Sequence, residues 1–90
     1  MSKDQILNLL HEVVAGLRLV ELERAENFLH SIIKNYELVI CKLVKDELTE
    51  NLIKNSPREY LEIYSDYENP LLQKMDYVQK ELSLFIVANP

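Results

Sequence analysis

Gly16 is the chain's only glycine, and Pro57, Pro70 and Pro90 are its only prolines. An all-β domain turns tightly every few residues, and such turns draw on Gly, Pro and Asn-Gly pairs. That supply is missing, which argues against a sheet. One glycine also cannot build a glycine-rich phosphate loop. A single cysteine, Cys41, excludes an internal disulfide framework. It lies in the apolar run Leu38-Val39-Ile40-Cys41, which predicts a small buried hydrophobe with an inert thiol. No apolar run approaches the ~20 residues needed to span a bilayer. Met1-Ser2-Lys3-Asp4 leads straight into an amphipathic pattern with no signal core. The expectation is a cytoplasmic protein without membrane contact. Positive charge is also short, with ten Lys and Arg against fifteen Asp and Glu, a formal −5. Nucleic-acid readers carry a basic stripe, so this balance argues against that class.

What is present favours helices. Good helix formers such as Leu, Glu and Lys are abundant. The chain is 48% hydrophobic and 28% charged, a globular composition, and its 90 residues make one domain, 1–90. Ser2 and Gln5 form a capping box at the start of a first helix over 3–17, whose Ile6, Leu9, Leu10, Val13, Val14 and Leu17 share a face. Gly16 is the expected stop. A second pattern over 20–46 includes Leu22, Ala25, Phe28, Leu29, Ile32, Ile33, Tyr36, Val39, Ile40 and Leu43. Its apolar sector spans roughly 160°, the width of a central helix touched by several neighbours. Leu48, Leu52 and Ile53 fall outside that sector. One helix from Val20 to Lys54 would be about 50 Å long, whereas a compact domain of this size is about 30 Å across. A break is therefore expected around Asp46 to Thr49; without it the protein would be extended and dimeric.

Ser56-Pro57-Arg58-Glu59 reads as cap, first-turn proline and box-closing glutamate for a short third helix over 57–67. Asn69-Pro70 starts a fourth over 70–87, with Leu71, Met75, Val78, Leu82 and Phe85 at spacings of four and three. The fold class is all-α, a small antiparallel bundle of about four helices.

Chemistry is sparse. His11, His30 and Cys41 are the only soft or imidazole ligands, and none stands four residues from another, so no metal or other cofactor is implied. The serines carry no nucleophile elbow. A small helical enzyme or metal protein built on His11, Glu12 and His30 is a third, weaker reading, and a DNA-binding role is weaker still. Tyr60, Tyr64 and Tyr67, at helical spacing and interleaved with Glu59, Glu62 and Asp66, form a candidate face for a basic protein partner. The Leu71, Met75, Val78, Leu82 and Phe85 seam, with the apolar tail that ends it, is a candidate oligomer interface. The expected function is a non-catalytic protein–protein interaction module, an adaptor or subunit of a larger assembly that self-associates, as a homodimer or within a hetero-complex. The alternative is a small acidic inhibitor, such as an immunity protein or antitoxin, that masks its partner.

Overall fold

A computed structural model describes residues 1–89. It contains four α-helices: α1 (Lys3–Arg24), α2 (His30–Val44), α3 (Ser56–Ile63) and α4 (Pro70–Ala88). No strand occurs among the described residues. α1 packs against α2 and α4, and α3 packs against both α4 and α2, while the diagonal pairs do not approach. The principal dimensions are 38 × 21 × 18 Å.

Polar contacts give the register. Lys3 meets Asp46 at 2.8 Å and Arg18 meets Glu37 at 3.0 Å, so α1 and α2 run antiparallel. Lys74 reaches Glu12 at 3.8 Å, and Leu71 packs beside Gly16 at the start of α4, so α4 also runs antiparallel to α1. All three ion pairs are partly solvated, and they record alignment more than they add stability. The core between the helices takes Ile6, Leu10, Val13 and Leu17 from α1 and Ile32, Tyr36, Val39 and Leu43 from α2. Tyr60 of α3 and Met75, Val78 and Leu82 of α4 complete it.

Helix starts follow the sequence pattern at two of four places. Ser2 accepts from the Gln5 amide at 3.3 Å and Gln5 returns a bond to the Ser2 amide at 2.9 Å, completing the box. Asn69 accepts from the Leu71 amide at 3.0 Å, with Pro70 in the first turn.

The first interior break differs from expectation. α1 does not stop at Gly16 but continues to Arg24. A Cβ at position 16 would lie 2.7 Å from Leu71 Cδ1, so the missing side chain admits α4 rather than ending α1. The stop comes at Ala25, with φ of 52°. There the Glu26 amide donates to the Glu21 carbonyl at 3.1 Å and the Ala25 amide to Leu22 at 3.3 Å, the paired bonds of a Schellman ending. α2 ends in the same way. Asp46 has φ of 56°, and the Glu47 and Asp46 amides bond to Lys42 at 2.8 Å and Leu43 at 3.2 Å. The expected helix over 20–46 is thus interrupted at 25–29, whereas the break expected around Asp46 to Thr49 is present, and residues 45–55 form a turn-rich segment. Asn51 pins that segment to α4, donating to the Gln79 carbonyl and the Ser83 hydroxyl, each at 2.8 Å.

Candidate partner-binding surface

The tyrosine ridge does not form on one helix face. α3 ends at Ile63, and Tyr64 is already extended, with φ of −127° and ψ of 117°. Tyr60 is enclosed in the core and Tyr64 is buried beside it, the two rings edge-on with centroids 5.9 Å apart. Tyr67 lies in the turn beyond and is 72% exposed. Burial pushes the Tyr60 hydroxyl above the ordinary phenol range. Burial does the same for Tyr64, helped by the carboxylate of Glu26.

Two of the three candidate acids are tied into the local structure. Asp66 accepts from Asn69 at 2.9 Å and, more weakly, from the Tyr60 hydroxyl at 3.4 Å, which folds the 64–69 turn back on α3. Glu62 pairs with Arg58 one turn away at 3.4 Å, on the surface. Glu59 is half-buried and closes no capping box, because Ser56 is not the cap. Ser56 is the first residue of α3 and is buried, its hydroxyl 2.6 Å from that of Tyr36 on α2.

The α4 seam is occupied within the chain. Met75, Val78 and Leu82 are fully enclosed, Leu71 is buried, and Phe85 packs half-buried against the same core. The apolar tail divides: Phe85 and Ile86 dock on the core, while Leu84 and Val87 point outward.

Cys41 is exposed, contrary to the sequence expectation, because its position on α2 turns away from the stripe of Ile32, Tyr36, Val39 and Leu43. It lines an open groove of about 320 Å³ between α1 and α2 with His11, Val14, Arg18, Glu37 and Ile40. Among the described residues, no three His, Cys, Asp or Glu side chains gather closely enough to hold a metal ion. No described helix is long and apolar enough to cross a membrane.

A different surface emerges where α1 ends. The Arg24 guanidinium lies 4.0 Å from the centre of the Tyr64 ring, and the Tyr64 hydroxyl donates to Glu26 at 3.3 Å. These contacts join the end of α1 to the end of α3. Around them Leu22 is 77% and Phe28 59% exposed. Both were expected inside the second helix. The polar stretch Arg24-Ala25-Glu26-Asn27 between them was the available sign of a turn.

No family model, curated protein or solved structure matches this chain.

What the molecule can bind is therefore a matter of its own surface. At the α1–α3 end, the exposed apolar groups include Leu19, Leu22, Phe28, Ile63 and Tyr67. At the opposite end, Met1 and Leu84 line one shallow pocket, with Val87 nearby on α4.

Proposed function

We propose that this chain is a non-catalytic helical module that binds another protein, as an adaptor or as a subunit of a larger assembly. The observation that carries the reading is a core closed within one copy that still leaves large apolar side chains outside it, two groups of them at the ends of the bundle and Leu38 and Tyr77 on the outer faces of α2 and α4. α1 alone is about 33 Å long, so the two groups are separate surfaces. Burying one such side chain against a partner is worth about 1.5–3 kcal/mol, which exposure to water forgoes. Self-association through Leu71, Met75, Val78 and Leu82 would require unpacking the chain's own core, so an assembly uses the residues left outside it.

The test is quantitative affinity purification of the parent and of two double variants, Leu22→Ser with Phe28→Ser and Leu84→Ser with Val87→Ser. At unchanged helicity, at least one pair should lose a specific partner that the parent retains. If both pairs keep every protein the parent captures, the surface reading is wrong.

A further inference from the structure

The chain's charge is not spread evenly. Residues 21–28 and 62–69 hold Glu21, Glu23, Glu26, Glu62, Asp66 and Glu68 against Arg24 alone, a formal −5 that equals the charge of the whole chain. The remaining residues carry nine cations and nine anions. These two segments are the ones brought together by the Arg24–Tyr64–Glu26 contacts. Arg24 lies over a ring face, and it makes no ion pair with an acid among the described residues.

The same end carries part of the apolar exposure. Leu19 and Leu22 stand three residues apart on one outer face of α1, and Glu26 follows just past the turn that ends it. Leu22 and Glu26 line an open concavity of about 720 Å³ with Arg18, Glu21, Ala25 and Asn27. In its wall, Glu21 Oε2 is buried with no hydrogen-bond partner, the only such side-chain atom among the described residues. A carboxylate oxygen in that position calls for a donor.

We infer that this end docks a basic amphipathic segment of a partner protein, whose apolar side chains cover Leu22 and Phe28 while its lysines or arginines face Glu23, Glu26 and Glu68. The inference rests on the reading of the chain as an interaction module and names the surface and the chemistry of its partner. Charge decides the occupant. Anionic membranes and nucleic acids are repelled by these carboxylates, of which Glu62 alone is paired with a cation, Arg58, among the described residues. A second copy offers no complement, because outside this end the chain is charge-balanced. Electrostatic attraction speeds encounter, and the apolar groups supply holding energy once water is displaced.

The experiment places a photo-crosslinking amino acid at Leu22 or at Leu84 in the full chain in its native cells, and sequences the joined peptide by mass spectrometry. The expected result is an adduct from position 22 to a segment rich in Lys or Arg and apolar residues. An adduct from position 22 to an acidic or uncharged segment, or to another copy of this chain, overturns the inference. Adducts from position 84 alone overturn it while leaving the interaction-module reading standing; adducts from neither position remove both. A second measurement titrates the isotopically labelled chain with a synthetic amphipathic helix of leucine and lysine, and with its leucine–glutamate twin. Resonances of residues 19–28 and 62–69 should move with the lysine peptide only. Glu23→Gln with Glu68→Gln, which removes two acids that make no side-chain bond among the described residues, should weaken that binding about 10-fold at low salt. Equal response to both peptides, or shifts centred on Met1, Leu84 and Val87, overturns the assignment.

Discussion

The hydroxyls of Tyr36 and Ser56 meet at 2.6 Å, and both residues are enclosed, at 0% and 1% exposure. Tyr36→Phe keeps the ring and deletes one hydroxyl, leaving Ser56 Oγ buried without a partner. Stranding a buried polar group costs about 1–3 kcal/mol. Ser56→Ala strands the phenol and should cost a similar amount. The double variant removes both groups and forfeits only the net worth of the bond, about 0.5–1.5 kcal/mol. At mid-range the two single losses together should therefore exceed the double loss by about 3 kcal/mol, at the upper end of the coupling seen between contacting residues. Urea unfolding followed by circular dichroism reads these differences directly. By heat, each kcal/mol corresponds to about 4–8 °C in a domain of this size. Simple additivity of the single variants would refute the claim that these hydroxyls join α2 to α3. The same pair predicts an alkaline effect. Burial raises the Tyr36 phenol far above its ordinary value of 10.0, opposed by the bond to Ser56 and reinforced by Glu59. The folded chain thus keeps a proton that the unfolded chain releases above about pH 10. Its stabilising contribution is complete below that pH and is lost as pH rises toward the folded value. Stability of Tyr36→Phe should fall less steeply above about pH 10 than that of the parent.

Three further outcomes check other parts of the fold. Gly16→Ala should change unfolding free energy by less than about 1 kcal/mol, since helix propensity gains what displacing the Leu71 methyl loses, whereas Gly16→Val should cost about 1–3 kcal/mol. Ala25→Gly should raise stability by about 0.5–1 kcal/mol in the same urea assay, because it relieves a left-handed backbone carrying a Cβ; a loss would mean α1 does not end there. Cys41 should react completely with a thiol reagent in the native protein without denaturant, and protection would contradict its exposure.

The fold class was legible because the helix-starting chemistry at Ser2–Gln5 and Asn69-Pro70 is local, and because the α4 seam repeats faithfully over four turns. The stop at Asp46 was legible too, because Leu48, Leu52 and Ile53 fall outside the apolar sector of the second helix; the stop at Ala25 was not. Ala25 adopts the left-handed conformation usually given to glycine, so no residue type announces that break. Gly16 drew attention as a stop, yet its role is to let Leu71 approach, a contact between residues far apart in sequence. Ser56 matched a cap pattern, but Tyr36 on another helix claims its hydroxyl. The binding surface was half visible. Tyr67 and Glu62 do lie exposed, whereas Tyr60 and Tyr64 are buried in the core; α3 ends at Ile63, so the three tyrosines share no helix face. The coincidence of the acidic excess with Leu22 and Phe28 depends on the Arg24–Tyr64 contact, which joins segments some forty residues apart.

The most direct test of a binding module whose core is complete in one copy is the thermal unfolding midpoint of the parent and of the Leu22→Ser, Phe28→Ser double variant, each measured over about a hundredfold range of protein concentration. Because Leu22 and Phe28 stand outside the core, the two proteins should share one midpoint that does not drift with concentration. A midpoint that climbs with concentration in the parent and drops sharply in the variant would mean that those side chains complete a core shared between copies.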